Sequence, residues 1–288
     1  MPGEVVLLDT SAFRSLSKDE LAQALSRRLK LTAAPYCFWE LLCHLDEGED
    51  FARAKGHLMK FRGVEIVDKP LDRVVAQSEP DPEKRVWSSD LVYAALAAIE
   101  EANSLKDLNR SVIKDEAGDQ RALKDCVDRV RRLLAKEENR FREFMTKLIG
   151  LLQSGDVRTD APLEKHNAIM SMVASGGTPL PDTADLDYAA GADEDQVVVC
   201  SYIYWGYVLH RATQLAQAGG TTCAENDFED GQVCAYVPLD QPMRVASGDA
   251  NLLEILTSVG AVLRAVGWGR RACFIAVGPS CLTQGDAS

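Results

Sequence analysis

The stretch VVLLDTSAF (Val5–Phe13) sets four large apolar residues directly against an acid and two hydroxyls. A short unbroken apolar run ended by polar residues reads as a strand buried on both faces, the kind found in parallel sheets. Asp9 then stands at the carboxyl end of that strand, where α/β sheets gather their ligands. Taken alone, Asp9 or Ser11 reads as the cap of a following helix. The partners found elsewhere in the chain decide between the two.

Outward from this stretch the N-terminal third alternates apolar runs with amphipathic ones. Ser17-Lys18-Asp19-Glu20 opens a helix running to about Leu29, with Ser17 as cap and Glu20 in the capping-box position. APYCFWELLCHL (34–45) places Phe38, Leu41, Leu42 and Leu45 at helical spacing behind Pro35, FARAKGHLMKF adds helical turns, and VEIVD (64–68) reads as a second strand. This β-α-α-α-β start belongs to an α/β fold with a parallel sheet.

From Trp87 to Gly219 the sequence reads as helix after helix with no strand. The clearest helix spans 119–152, where Leu123, Val127, Val130, Leu134, Phe141, Met145, Leu148 and Leu152 form one apolar face. Another runs from about Asp195 to Ala218 and stops at Gly219-Gly220. Its apolar core, VVVCSYIYWGYVLH (197–210), is shorter than the roughly 20 residues of a membrane span and reads as a buried helix.

The α/β pattern then returns: a short helix in NDFEDGQVCAYVPL (226–239), a strand in MRVASGD (243–249), a helix in NLLEILTSVGA and a last strand in RACFIAV (271–277). The expected organisation is a discontinuous sheet domain, 1–70 and 222–288, interrupted by a helical insertion, 71–221.

Composition bounds the function. The 288 residues are 46% hydrophobic and 26% charged, ordinary for a globular chain. Residues 1–30 lack the pattern of a signal peptide. The eight cysteines show no C-x-x-C and no zinc-finger spacing, so a reduced, cytoplasmic protein without structural zinc is expected. A net charge of −12 argues against a broad basic surface for nucleic acid. It leaves open carboxylates that hold cations and present positive charge locally.

Four acids occupy telling positions: Asp9 after the first strand, Asp249 after MRVAS, Glu40 on the helix of FWELL, and Asp227 or Asp230 in the first turn of the NDFED helix. Their order resembles the PIN-domain family of metal-dependent nucleases. That family has an Asp and small hydroxyl residue after an apolar first strand, as in Asp9-Thr10-Ser11, and a Glu followed by Leu inside a helix, as at Glu40. An Asp opening a helix follows, then a strand ending in Thr or Ser, one residue, and Asp, matched by Asp230, Ser247 and Asp249. The resemblance covers the first 70 and last 65 or so residues and leaves the helical middle unexplained. Departures are the long insertion, Ser247 in place of Thr, Gly248 at a usually polar position, and the choice between Asp227 and Asp230, which stays open.

The resemblance implies a Mg²⁺- or Mn²⁺-dependent endonuclease hydrolysing phosphodiesters, with RNA expected over DNA. Asp9, Glu40, Asp230 and Asp249 would be catalytic, Asp9, Glu40, Asp227, Asp230 and Asp249 the candidate metal ligands, and Ser11 and Ser247 the residues that orient them or touch a phosphate. Physical chemistry supports that grouping independently. Two carboxylates about 4 Å apart repel by roughly 4 kcal/mol at an effective dielectric near 20, so a cluster requires cations or protons. Carboxylate oxygens without His or thiolate suit Mg²⁺ or Mn²⁺ over Zn²⁺. The insertion offers a surface for a second copy or a protein partner. The rival reading is a non-catalytic binding or scaffold module acting through that insertion.

Other constellations carry less. No G-x-G-x-x-G or G-x-x-x-x-G-K-[ST] is present, Asp9-Thr10-Ser11 lacks the Asp-x-Asp of a phosphatase nucleophile, and His44, His57, His166 and His210 have no paired spacing. Arg129, Arg131, Arg132, Lys136, Arg140 and Arg142 interleave with acids and read as a salt-bridged helix face. Arg270 and Arg271 beside Trp268 form a smaller candidate patch for nucleic acid.

Overall fold

The first strand of the chain is also the central strand of its sheet. In the computed structural model, which describes residues 4–45, 50–70, 89–114, 118–175, 194–269 and 274–282, β1 (Val5–Leu8) lies between β2 (Lys30–Ala33) and β6 (Met243–Ala246). The outer positions belong to β3 (Glu65–Ile66) and β7 (Phe274–Val277), giving the order β3-β2-β1-β6-β7 with every pairing parallel. Val6, Leu7 and Leu8 are fully buried, as a strand covered on both faces by helices must be.

The expected α/β class with a parallel sheet flanked by helices is therefore present. One strand was missing from the sequence reading. Residues 30–33 pair with β1 along their whole length, so the start is β-α-α-β-α-α-β, with α1 (Thr10–Ser15), α2 (Lys18–Ser26), α3 (Pro35–Cys43) and α4 (Phe51–Leu58) between the strands. LTAA carries too little bulk to announce a strand; its burial comes from lying between two other strands. The expected helix to Leu29 ends instead at Ser26, and Arg28 takes a left-handed φ of 64° just before the turn into β2.

Strand order turns around between β1 and β6. The chain proceeds from β1 outward through β2 to β3, then re-enters on the opposite side of β1 with β6 and continues to β7. Such a reversal leaves a crevice outside the carboxyl ends of the two strands that flank it. Leu8 stands opposite Ala246 in register, and the Asp9 N–H donates to the Ala246 carbonyl at 3.2 Å. Residues 9 and 247 thus leave the sheet side by side.

The middle segment contains α5 (Ser89–Glu101), α6 (Leu105–Leu108), α7 (Leu123–Ser154), α8 (Pro162–Ala174) and α9 (Glu194–Gln217). It is not wholly helical: β4 (Val112–Lys114) and β5 (Gln120–Ala122) form an antiparallel hairpin that delays the start of α7 from 119 to 123. Strands of three residues, mostly solvent-facing, leave no alternating signature in sequence. Helix α9 ends where Gly219 adopts φ 73°, as its glycine pair foretold.

Helix α10 (Glu225–Cys234) precedes β6, and α11 (Ala250–Ala265) joins β6 to β7. Helix α9 packs against α7, α8, α10 and α11, and α7 packs against α3. Buried side chains from the middle helices, among them Met145, Tyr202 and Tyr207, are continuous with those of the sheet in one apolar cluster. The expected start of the insertion at residue 71 lies outside the described residues, as do Arg270, Arg271 and Cys273.

Among the described residues no helix is long and apolar enough to cross a membrane. Six cysteines (Cys37, Cys43, Cys126, Cys200, Cys223 and Cys234) are free and buried, consistent with their use as small apolar side chains.

A candidate acidic site at the strand reversal

Asp9 is 2% exposed and anchors a local hydrogen-bond network. Its Oδ1 accepts the Ala12 N–H at 2.6 Å, so it does cap α1. The same carboxylate accepts from the Ser11 hydroxyl at 2.8 Å and from the hydroxyl of Ser247, which is fully buried at the end of β6. Ser247 Oγ accepts the Asp249 N–H at 2.8 Å in turn. The cap and the site are one arrangement, because α1 begins where β1 ends.

Gly248 explains its own departure from the expected pattern. Its N–H donates to Ser11 Oγ at 2.6 Å, and a Cβ added there would lie 3.1 Å from that oxygen. A Cβ there would require the Ser11 hydroxyl to give by a few tenths of an ångström. Asp249 caps α11, its Oδ1 accepting from the Asn251 and Leu252 N–H groups at 2.7 and 3.0 Å.

The far end of α1 is also fixed. Lys60, 8% exposed, donates through Nζ to the Phe13 and Leu16 carbonyls, both at 2.5 Å. A cation on the last carbonyls of a helix satisfies groups that have no intrahelical partner.

Glu40 reaches the network through α3, which starts at Pro35 directly after β2. It is 5% exposed, accepts from the Thr10 hydroxyl at 2.5 Å and stands 3.5 Å from the Arg14 guanidinium. Burial, followed by the nearby Glu229 charge, pushes its carboxyl up to about 7 against the pull of Thr10, Arg14 and His44. A cleft of about 190 Å³ opens beside it between α3, α7 and α10, with His44, Arg131 and Glu229 on its walls.

The two candidate acids of α10 have separate fates. Asp227 is 1% exposed, pairs with Arg211 Nε of α9 at 2.7 Å and accepts the Ala224 N–H at 2.8 Å, so it closes the first turn of its helix. Asp230 has a buried Oδ2 without a hydrogen-bond partner among the described residues. Burial, then the Asp249, Asp9, Asp227 and Glu229 charges in that order, push its carboxyl up to about 8. Among charges, Asp230 is therefore influenced most by those of Asp249 and Asp9, while Asp227 is ion-paired with Arg211.

Asp9 itself is raised, chiefly by burial, although Ser247, Ala12 and Ser11 hydrogen bonds oppose the shift and Asp249 adds to it. The donor chemistry fits a hard divalent cation: carboxylates alone, with one buried oxygen unsatisfied. The spacing is not that of a preformed cage. Among the described residues no three Asp, Glu, His or Cys side chains stand close enough together to hold one ion.

Sequence reasoning assigned no site role to Thr10, Arg14, Glu229 or Arg211. Thr10 and Glu229 each adjoin a residue it did single out, and Arg14 lies one helical turn beyond Thr10. Arg211 gave no signal, since its partner is brought by packing of α9 on α10.

The basic stretch of α7 is partly committed inside the protein: Arg131 donates to the Cys43 carbonyl and lies 3.6 Å from Asp128, and Arg142 pairs with Glu138. Trp268 packs edge-on against His166, centroids 4.7 Å apart, and His166 in turn contacts the Tyr202 hydroxyl at 2.9 Å. The indole is thus engaged within the protein.

The chain matches no family model, and no curated protein or solved structure is detectably similar to it.

Proposed function

We propose that the protein is a divalent-cation-dependent phosphodiester hydrolase, an endonuclease for which single-stranded RNA is the expected substrate. One observation carries the reading: Asp9 and Asp249 lie just beyond the carboxyl ends of the two strands that flank the reversal, and the charges of both raise the carboxyl of Asp230, one of whose oxygens is buried without a hydrogen-bond partner among the described residues. The resemblance of these positions to those of PIN-domain nucleases supports it.

In this reading Asp9, Asp230 and Asp249 hold Mg²⁺ or Mn²⁺, with Glu40 contributing directly or through water. Asp227 is a helix-capping and ion-paired residue. A bound cation would supply an activated water, an oriented phosphodiester and charge stabilisation at the leaving oxygen. Ser11 and Ser247 fix the rotamer of Asp9; Thr10 and Arg14 fix that of Glu40. The middle helices shape access to the site or bind a partner or second copy.

The test is cleavage of labelled single-stranded RNA and DNA in Mg²⁺ or Mn²⁺ by the wild-type, Asp9→Asn and Asp249→Asn proteins. Loss of roughly 100-fold or more in each variant is expected, on the scale of removing one electrostatic stabiliser from a reacting centre. Activity unchanged in both variants would falsify the assignment. A second reading, a non-catalytic scaffold, is favoured by the absence of any three acids spaced for one ion among the described residues. No cleavage, and no rise in melting temperature with millimolar Mg²⁺ or Mn²⁺, would select it.

A further inference from the structure

Arg14 stands in the last turn of α1, one helical turn beyond Thr10. Both side chains address Glu40, but unequally: the Thr10 hydroxyl donates at 2.5 Å, whereas the nearest guanidinium nitrogen of Arg14 is 3.5 Å away, beyond hydrogen-bond length. The Arg14 side chain is 54% exposed and makes no hydrogen bond among the described residues. An exposed ion pair at that distance adds little to stability. A guanidinium carries five N–H donors in a planar fork, so most of the bonding capacity of Arg14 is left to solvent.

Its placement gives that capacity a use. Helix α1 is capped by Asp9 and rises about 1.5 Å per residue, so Arg14 lies about 7–8 Å along the axis from the first acid of the crevice. The acids gathered there repel a phosphate, and the whole chain carries −12. A polyanion needs a local cation to approach such a surface. Arg131, which lines the cleft with Glu40, is held by the Cys43 carbonyl and Asp128. Lys60, at the far end of α1, is buried on the Phe13 and Leu16 carbonyls. Arg14 has no such commitment.

We propose that Arg14 is a substrate-binding residue: its guanidinium fork takes a backbone phosphate of single-stranded nucleic acid beside the one to be cleaved. The inference rests on the hydrolase reading above and adds to it the residue by which an acidic protein engages a polyanion. Bidentate recognition of phosphate is the chemistry in which arginine surpasses lysine. Such a contact positions the strand without reading its bases. It requires no bound cation, so it can be measured apart from cleavage.

The experiment is equilibrium binding of fluorescein-labelled oligouridylate and oligoadenylate in chelator, read by fluorescence anisotropy across a salt series. The proteins are full-length wild type, Arg14→Gln and Arg14→Lys, with urea unfolding of each. Arg14→Gln is expected to weaken binding of both oligonucleotides about tenfold and to make the slope of log affinity against log salt shallower by about 0.7, the value for one phosphate contact on a single strand. Arg14→Lys keeps the charge and should keep the slope while losing part of the affinity. Unfolding midpoints should agree, so that a change in slope is not a change in fold.

An unchanged slope in Arg14→Gln overturns the proposal whatever the affinity, because a lost phosphate contact must alter counterion release; wild-type cleavage in Mg²⁺ or Mn²⁺ then leaves the hydrolase reading standing. The expected slopes without wild-type cleavage uphold Arg14 and overturn the hydrolase reading alone. Failure of the wild type to bind either oligonucleotide overturns both.

Discussion

The raised carboxyl of Asp230 should make the protein less stable as the solution becomes alkaline, in a way one substitution removes. An Asp shifted from 3.8 to about 8 keeps in the folded state a proton that the unfolded chain has lost. Stability therefore falls as pH rises between those values, by up to about 1.4 kcal/mol per unit. The ceiling over the whole interval is about 5–6 kcal/mol, and relaxation around the ionised group brings the realised loss to a few.

The window for measuring it follows from the neighbours. Glu40, raised to about 7, acts with the same sign but is largely exhausted above that pH. His210, buried and pushed down to about 4, acts with the opposite sign between there and 6.5, since the unfolded chain binds the extra proton. Above pH 7 both effects fade and Asp230 dominates. Between pH 7 and 8 the titration of Asp230 is worth about 1 kcal/mol.

Urea unfolding in chelator at pH 7.0, 7.5 and 8.0 should show the wild type losing about that much more stability than Asp230→Asn. Divalent cation should reverse the loss, because binding expels the proton. At 100 times the dissociation constant the gain is about 2.7 kcal/mol. Parallel stability–pH lines for the two proteins would refute the placement of Asp230 among like charges.

Three further outcomes follow from the geometry. Ser247→Ala removes the hydroxyl that joins Asp9 to the Asp249 N–H and should cost about 1–3 kcal/mol in urea unfolding, with cleavage reduced as well. Gly206→Ala would set a methyl 2.8 Å from Val259 Cγ1 where α9 crosses α11, costing about 1–3 kcal/mol, and Val259→Ala in the same chain should recover most of it. Arg211→Met strands Asp227, 1% exposed, with a backbone N–H alone; a loss of about 3–5 kcal/mol is expected, whereas Asp227→Asn should retain cleavage if, as proposed, that acid serves its helix and Arg211 and not the cation.

What could be read in the sequence tracks how locally each feature is determined. β1 and β6 end in acids that cap the next helix, so strand, boundary and candidate site residue all lie within ten letters. α9 is apolar on nearly every side and was legible as a buried helix. By contrast β2 is a strand because β1 and β3 flank it, which nothing in LTAA announces. The alternatives at Asp227 and Asp230 were undecidable for the same reason. Both are acids of one short helix, and only the approach of Arg211 from a helix sixteen residues earlier pairs with the first and leaves the second under the influence of Asp249 and Asp9.

The question posed by Asp9 had two answers that need not compete. A carboxylate at Ncap keeps one oxygen on the helix N–H groups, and its second oxygen is available to whatever the neighbouring strand presents. Here that is Ser247, and through Ser247 the backbone of Asp249. Capping therefore orients the acid, and the hydroxyl hydrogen bonds oppose, without cancelling, the upward push of burial on its carboxyl. Asp249 repeats the device on the other side of the reversal, with its own helix behind it. Asp230 lacks both supports: among the described residues it caps no helix and has a buried oxygen without a partner. It is the member of the group with the most to gain from a positive charge, and so the residue at which a cation-binding site and a purely structural acidic crevice differ most.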